Sequence, residues 1–369
     1  MSAMLSPRIN LALVNGMRSL GGAELWHLDV GQGLKERGHR VLVIGQPDSE
    51  LLRLCAESGL ETAGVPIRCD GAPWTQMRLL RLLRRHGTTA VLCNRLKDLK
   101  AAGVAARLAG IEVVLKSRES DHPLRPRPYY RWYYDRVASG VLVNSRATLR
   151  TTLDSAPWLR PERVHLLSKG IDGERFRVLP EPPGRPVVGF VGSLDERKGV
   201  PLLMAAWTKV LEACAEEPPL LRLAGEGPLR PAVAAWRAGL RDPGCVELAG
   251  WVRDMPAFHG ALTLLAAPSR YEGFGLAVAE AGACGRPVVA TRVSSLPEVV
   301  HDGVTGLLVP PGDPAALATA ILRLLGDPGL RQRLGAAAAA RIRTEFDRAA
   351  MLSRLEELLR PAPRRRETT

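Results

Sequence analysis

Two glutamates and a pair of glycines in the second half of the chain are the residues best suited to do chemistry. Glu272 and Glu280 lie eight positions apart in the stretch EGFGLAVAE. Gly273 and Gly275 allow a sharp turn, and the pattern from Leu276 onward predicts the start of a helix. A helix N-terminus offers free backbone N–H groups and a partial positive charge, which suit a phosphate. Because carboxylates repel phosphate, the two glutamates indicate a second task at the same place, the binding of hydroxyl groups.

A loop in the same half carries two adjacent cations that could serve the same anion. Arg197 and Lys198 follow a strand-like run that ends at Gly192 and precede a helical pattern. Such a pair could neutralise a diphosphate, and a solvated charged loop is the alternative. Gly225, in the stretch AGEGP, lies where α/β folds bind ligands, although a plain turn would give the same pattern. The Walker order is absent, and Gly189 with Gly192 does not complete a dinucleotide fingerprint.

Short apolar runs rich in Val, Ile and Leu alternate with helical patterns along the chain. The alternation predicts an α/β protein with parallel sheets covered by helices on both faces. A proline-dense stretch at residues 179–186 interrupts it almost midway, and we interpret this stretch as the linker between two such sheets, with a ligand cleft between them. The strand-like runs are RVLVIG at 40–45, AVLC at 90–93, VVL at 113–115, VLV at 141–143, VVGFVG at 187–192, LLRLAG at 220–225, LTLLA at 262–266 and PVVA at 287–290.

Length and composition set the broad class. A chain of 369 residues is long enough for two domains, since single cores stop growing near about 250–300 residues. No run approaches the roughly 20 apolar residues of a transmembrane helix, and the first residues do not resemble a signal peptide, so we expect a cytoplasmic protein. Six cysteines without a C-x-x-C pair or a nearby histidine cluster indicate neither a disulfide framework nor a zinc site.

The net charge of +13 is concentrated in the first half of the chain. Residues 1–180 hold 28 Lys and Arg against 17 Asp and Glu, whereas residues 181–369 hold 23 against 21. Basic excess in one half favours an acidic partner, either an anionic membrane or a polyanionic acceptor, and no nucleic-acid-binding motif accompanies it. The basic stretch 76–85 and the aromatic, arginine-rich stretch 129–136 could lie on a membrane. Leucines packed on the sheet with arginines in solvent are the slightly favoured alternative.

Several motifs in a fixed order point to one family. Taken together they resemble the family 4 retaining glycosyltransferases of the GT-B fold, which has two Rossmann-like doubly wound domains facing each other across a cleft. The resemblance covers roughly the whole chain and is firmest from residue 140 to 345. The motifs are GGAE at 21–24, GHRV at 38–41, VNS at 143–145, GID at 170–172, RKG at 197–199, GEGP at 225–228, EGFGLAVAE at 272–280, GRPVVAT at 285–291, PEVV at 297–300 and GVTGLLV at 303–309.

The resemblance implies a role for each candidate residue. Glu280 would accept hydrogen bonds from the ribose hydroxyls of a nucleotide, and Glu272 would hold hydroxyls of the donor sugar. Arg197 and Lys198 would neutralise the diphosphate as the glycosidic bond breaks. His122 is the candidate for a histidine presented to the donor sugar, with a surface histidine as the alternative. The remaining donor-binding positions are Gly21, Gly22, Gly192, Gly225, Gly273, Phe274, Gly275 and Leu276.

The same resemblance implies a reaction. A sugar would pass with retention from a nucleoside diphosphate, UDP or GDP, to a glycan, lipid-linked or small-molecule acceptor, in the synthesis of envelope polysaccharide or glycolipid. No Asp-x-Asp pair is present, so no metal is expected. An epimerase or a phosphorylase of the same architecture, or a scaffold that binds nucleotide sugars without turnover, are the alternatives.

The expected domain boundaries follow from these patterns. Residues 1–178 would form an acceptor domain, residues 179–186 the linker and residues 187–345 the donor domain. A helix at 346–360 would cross back to the first domain, and residues 361–369 would be a disordered basic tail.

Overall fold

A computed structural model describes residues 8–67, 72–125 and 127–361 of the chain. They form two compact units, the first made of the described residues up to Ser168 together with those from Ala350 onward, and the second of Lys169–Ala349. Residues 179–186 lie inside the second unit. Among the described residues no helix is long and apolar enough to cross a membrane. All but the first residue of the tail predicted at 361–369 lies outside the described residues.

The first unit alternates strands and helices, as its apolar runs predict. Its strands are β1 (Asn10–Asn15), β2 (Arg40–Gly45), β3 (Glu61–Gly64), β4 (Ala90–Cys93), β5 (Val113–Arg118), β6 (Gly140–Val143) and β7 (Val164–Leu166). Its helices are α1 (Gly22–Glu36), α2 (Glu50–Glu57), α3 (Pro73–His86), α4 (Leu96–Asp98), α5 (Val104–Leu108), α6 (Pro128–Trp132) and α7 (Arg146–Ser155), with π-helical turns at Leu99–Gly103 and Tyr133–Val137 and a 3-10 turn at Pro161–Arg163.

The second unit repeats this alternation. Its strands are β8 (Val187–Val191), β9 (Leu220–Ala224), β10 (Val246–Gly250), β11 (Leu264–Ala267), β12 (Val288–Thr291) and β13 (Gly306–Val309). Its helices are α8 (Val200–Ala213), α9 (Arg230–Ala238), α10 (Met255–Gly260), α11 (Leu276–Ala283), α12 (Leu296–Val299), α13 (Pro314–Gly326) and α14 (Pro328–Glu345), with a 3-10 turn at Pro243–Cys245.

Both sheets are parallel and follow the same order. Within the described residues the first sheet runs β3-β2-β1-β4-β5-β6-β7 and the second runs β10-β9-β8-β11-β12-β13. Each order reverses once, between β1 and β4 in the first unit and between β8 and β11 in the second. Ligands of doubly wound sheets bind at the carboxyl ends of the strands beside such a reversal. The fold therefore confirms two Rossmann-like α/β units and marks one candidate site in each.

A last helix, α15 (Arg348–Leu358), carries the chain from the second unit into the first. Its start is fixed by backbone hydrogen bonds from Ile171 N–H to the Phe346 carbonyl, 2.7 Å, and from Arg348 N–H to the Ile171 carbonyl, 3.3 Å. Further on, Met351, Leu352, Leu355 and Leu359 are buried in the apolar cluster under β1, β2 and β4 of the first unit. Burial of four such side chains is worth several kcal/mol, so this helix is part of the first unit's core.

Candidate active site

The loop after β8 is shaped by glycines and by Asp195. A Cβ added to Gly225 would lie 2.0 Å from the Gly192 carbonyl oxygen, so the ends of β8 and β9 can meet only because Gly225 has none. Asp195 then accepts a hydrogen bond from the Lys198 N–H at 2.8 Å, and its carboxylate lies 3.8 Å from the Arg197 guanidinium. The predicted cation loop is thus an ordered turn that ends at the N-terminus of α8.

Lys198 and Glu272 meet across the strand reversal of the second sheet. Lys198 follows β8 and Glu272 follows β11, and the Lys198 ammonium donates to Glu272 Oε2. Their side chains are 17% and 14% exposed, so the pair borders solvent. A pocket beside it is lined by Val191, Ser269, Gly275 and Ala277 among other residues. The two charges therefore stand together after the carboxyl ends of β8 and β11.

The charge of Glu272 is well supported. Burial by itself raises the pKa of this carboxyl, but the Lys198 ammonium, with Arg197 and Lys169 nearby, holds its pKa below the ordinary value. Ser295 Oγ donates to the Glu272 carbonyl at 2.9 Å and fixes the backbone at this point. Glu272 is therefore an ionised acceptor, suited to bind hydroxyl groups rather than to donate a proton.

The glycine turn delivers the N-terminus of α11 to the same place. Gly275 caps the helix in the left-handed region at φ 92°, ψ 49°, a conformation that favours glycine. Phe274 is turned inward, 4% exposed, with its ring centroid 5.4 Å from that of Phe346. The Phe274 side chain therefore anchors the turn and does not face a ligand. The backbone N–H groups of Phe274, Gly275 and Leu276 are the groups that the turn can offer to a ligand.

Glu280 lies farther along α11, with its side chain 15% exposed. Behind it stands His259 of α10, which is completely buried, with Nε2 3.5 Å from Glu280 Oε2. The backbone of His259 is held in turn by Arg286, whose Nε donates to the His259 carbonyl at 3.1 Å. Glu280 is thus a carboxylate with one face toward solvent and the other toward a buried imidazole.

Three candidate residues, Gly21, Gly22 and His122, belong to the first unit. Gly21 is the N-cap of α1, and Gly22 is the first residue of that helix. His122 is exposed on the loop after β5, where its carbonyl accepts from the Arg118 guanidinium at 2.6 Å. The roles implied for these three residues stay predictions.

The strand reversal of the first sheet holds a buried polar cluster. Glu24 of α1 accepts from Asn15 Nδ2 and from Asn94 Nδ2, each at 3.2 Å, and so joins the ends of β1 and β4. Asp98 accepts from the Gly16 N–H at 2.9 Å, and burial raises the pKa of Asp98 to about 6. Burial, reinforced by Arg118, lowers the pKa of Lys116 to about 7, and Lys116 Nζ donates to the Asn94 carbonyl at 2.7 Å.

Sequence reasoning missed three residues that contact or shape the candidate positions. Asp195 shapes the cation loop, His259 backs Glu280, and Asn94 completes the cluster around Glu24. Asp195 could have been found from its place two residues before Arg197. His259 gives no local signal, because its partner lies on another helix. In the described part of the chain, no group of three or more His, Cys, Asp and Glu could hold a metal ion.

Two family models match the chain, one in each half. The model described as Glycosyltransferase Family 4 matches residues 20–175, and the model described as Glycosyl transferases group 1 matches residues 185–327. An alpha-maltose-1-phosphate synthase of Mycolicibacterium smegmatis is 31% identical over 310 residues, which cover 70% of this chain and 76% of the synthase.

The chain belongs to glycosyltransferase family 4.

This membership makes the chain an enzyme, a glycosyltransferase of the GT-B fold. A D-inositol 3-phosphate glycosyltransferase of Streptomyces bingchenggensis is 36% identical over 48% of this chain and 44% of that enzyme, so the match spans less than half of this relative. Among solved structures, Anabaena HepE in complex with UDP-glucose has a TM-score of 0.80 at 22% identity and covers 95% of this chain and 99% of its own. This likeness shows that the GT-B fold extends over nearly the whole chain.

Proposed function

We propose that this glycosyltransferase takes its sugar from a nucleoside diphosphate donor bound in the second unit and passes it to a hydroxyl acceptor with retention of configuration. The observation that carries the proposal is the Lys198–Glu272 pair, which sets a cation and a hydroxyl-binding carboxylate side by side at the strand reversal. HepE, a structural neighbour, is described in complex with UDP-glucose, which supports a donor of this class.

The diphosphate is assigned to the N-terminus of α11 and to the cation loop. The backbone N–H groups of Phe274, Gly275 and Leu276 stand at the positive end of the helix dipole, which attracts phosphate. Lys198 and Arg197 add two positive charges from the loop after β8. During transfer negative charge grows on the departing diphosphate, and these groups stabilise it without a metal ion.

The two carboxylates are assigned to the two sugars of the donor. Glu272, beside Lys198, accepts hydrogen bonds from the transferred sugar, and Glu280, farther along α11, accepts them from the ribose. Both tasks need an ionised acceptor, and hydrogen bonds to a charged group contribute about 1.5–3 kcal/mol. UDP and GDP are the donor nucleotides that we expect. Retention follows when the acceptor attacks from the face that the diphosphate leaves, with a departing phosphate oxygen taking the acceptor's proton.

The acceptor is assigned to the first unit, with the polar cluster of Glu24 and Asn94 at its strand reversal. We propose a glycan or lipid-linked acceptor of envelope synthesis, because this unit also carries a basic and aromatic surface. Trp74 and Trp132 are 77% and 51% exposed. Lys100 connects their two helices, since its carbonyl accepts from Gln76 of α3 and its ammonium lies 4.6 Å from the Tyr129 ring centroid of α6.

The burial of the basic helix α3 supports the alternative in which its leucines pack on the sheet and its arginines face solvent. Its leucines 79, 80 and 83 are buried while arginines 78, 81, 84 and 85 are exposed, so its leucine face packs on the protein. Contact with an anionic membrane therefore rests on the exposed aromatics and arginines.

Product analysis tests the proposal. The protein is incubated with UDP-glucose, UDP-N-acetylglucosamine or GDP-mannose and a membrane-lipid and glycan extract, and the products are analysed by mass spectrometry and by NMR of the anomeric proton. We expect acceptor-dependent transfer with an α-linkage from an α-linked donor, lost in Glu272→Ala. Donor epimerised without an acceptor would indicate an epimerase, and binding without turnover would indicate a scaffold. Either result contradicts the proposal.

A further inference from the structure

His259 is a buried histidine whose ring has no hydrogen bond. Its side chain is completely buried, and within the part of the chain that the structure describes neither ring nitrogen has a hydrogen-bond partner. A buried polar group left without a partner costs about 1–3 kcal/mol. An apolar residue of similar shape would avoid this cost, so the imidazole indicates a function other than packing.

The ring is held with one nitrogen aimed at Glu280. His259 Nε2 lies 3.5 Å from Glu280 Oε2, which is too long for a good hydrogen bond but near enough for one to form with a small adjustment. Catalytic and binding hydrogen bonds are often long without ligand and shorten when the ligand arrives. The aromatic rings of Phe176 and Phe258 flank the imidazole at centroid distances of 6.3 and 5.9 Å.

The backbone under this ring is fixed independently of Glu280. Arg286 is 3% exposed, and its guanidinium donates to the carbonyls of His259, Gly260, Leu179 and Pro180 at 2.8–3.1 Å. These bonds tie the end of α10 to the chain segment that precedes β8. The backbone that carries the imidazole is therefore held at several points, whereas the Glu280 side chain is 15% exposed and can adjust toward it.

We infer that His259 is a positioning residue that donates from Nε2 to Glu280 Oε2 and so presents the remaining lone pairs of this carboxylate to both hydroxyls of a ribose. The inference rests on the proposed function, in which Glu280 receives the nucleotide. A carboxylate with two oxygens can accept several hydrogen bonds, so one donated by His259 leaves room for two hydroxyls. With His259 fixing its orientation, Glu280 selects ribonucleotides over deoxyribonucleotides.

The selectivity itself is the quantity to measure. Calorimetry gives the Kd of UDP and of 2′-deoxy-UDP, or of GDP and 2′-deoxy-GDP if GDP is the nucleotide that binds. In the wild type we expect the ribonucleotide to bind about 10- to 150-fold more tightly, the equivalent of one hydrogen bond to a charged group. His259→Phe keeps the aromatic shape and removes the donor, and we expect it to lower this ratio about fivefold or more.

Two further variants separate positioning from packing. His259→Gln places an amide N–H near the position of Nε2 and should restore much of the ratio. Phe176→Leu disturbs the same buried cluster without touching Glu280, so it should lower the unfolding midpoint and leave the ratio unchanged. A ratio in His259→Phe equal to that of the wild type would overturn the inference. A wild type that binds none of these nucleotides would instead overturn the proposed function.

A measurement on the wild type covers the case in which His259→Phe does not fold. In ¹⁵N-edited NMR spectra, the imidazole N–H of His259 is assigned by its disappearance in His259→Gln. UDP should move this resonance downfield, as expected when the hydrogen bond to Glu280 shortens, and 2′-deoxy-UDP should move it less. An unchanged resonance under saturating UDP would show that His259 does not act on Glu280.

Discussion

Lys198 and Glu272 pair with each other, yet the proposed function gives them different ligand groups. Lys198 is assigned to the diphosphate and Glu272 to the hydroxyls of the transferred sugar. The donor diphosphate therefore competes with the Glu272 carboxylate for the charge of Lys198. From this competition we predict that Glu272→Gln affects a free nucleotide and a nucleotide sugar in opposite directions.

The magnitudes follow from the exposure and charge of the two groups. The side chains are largely buried, 17% and 14% exposed, and border solvent. We take the net contribution of the pair as about 1 kcal/mol, because the cost of desolvating both charges offsets much of their attraction. Glu272→Gln frees Lys198 and should tighten UDP about fivefold. UDP-glucose gains the same binding free energy from the freed Lys198. It also loses the hydrogen bonds from its sugar to the charged Glu272, which are worth about 1.5–3 kcal/mol, so its affinity should fall.

Lys198→Met gives the complementary result. It removes a charge-assisted contact to the diphosphate and should weaken UDP and UDP-glucose alike, by about 10- to 150-fold. The double variant Lys198→Met/Glu272→Gln should bind UDP more tightly than Lys198→Met alone, because a carboxylate without its ammonium partner repels the phosphate.

Isothermal titration calorimetry of the four proteins with UDP and UDP-glucose measures these constants, with GDP and GDP-mannose substituted if GDP is the nucleotide that binds. Glu181→Gln is the matched control, because it removes another acid–base pair of the same unit, Arg331–Glu181 at 2.7 Å, and should leave both affinities unchanged. Equal weakening of UDP and UDP-glucose by Glu272→Gln would refute the assignment of Glu272 to the sugar.

Three further predictions concern other parts of the chain. Gly225→Ala should abolish UDP binding and lower the free energy of unfolding by several kcal/mol, because its Cβ would lie 2.0 Å from a carbonyl oxygen. The control Gly312→Ala, at φ 76° with no atom near its Cβ, should lower the free energy of unfolding in urea by only about 1 kcal/mol. Lys116 should make the first unit more stable as pH rises from 7 toward 10.5, because in that window the unfolded chain binds a proton that the folded unit does not. Hydrogen exchange of β5 should show the free energy of unfolding rising by up to about 1.4 kcal/mol per pH unit. Lys116→Met should remove this slope. In flotation assays the wild type should bind vesicles rich in phosphatidylglycerol, and the Trp74→Ala/Trp132→Ala variant should bind them weakly. Equal binding of both proteins would contradict the proposal that these exposed aromatics bind an anionic membrane.

The sequence predicts the central strands of both sheets well and the edge strands poorly. All eight strand-like runs form strands, because parallel strands covered on both faces are continuous apolar segments. The four edge strands, β3, β7, β10 and β13, are not among these runs. The strand β3, ETAG, is polar and at most half-buried, so it lacks the continuous apolar pattern of a central strand.

In the candidate site, residues marked by local motifs could be predicted, and residues placed by packing could not. Arg197, Lys198 and Glu272 could be found because motifs in a fixed order mark them, and the structure brings Lys198 and Glu272 into contact. His259 could not be found, because its relation to Glu280 depends on how α10 packs beside α11. Local sequence patterns carry no information on such a contact between separate helices.

Hydrogen exchange measured by mass spectrometry, with and without nucleotide, tests the central claim that the donor binds at the strand reversal of the second unit. The protein is labelled in the presence of UDP, GDP, ADP and CMP at saturating concentration. We expect one nucleoside diphosphate to protect the peptides that contain residues 192–199 and 271–283, and Glu280→Ala to lose that protection at the same concentration. Protection confined to other segments, or none with any of the four nucleotides, would contradict the claim.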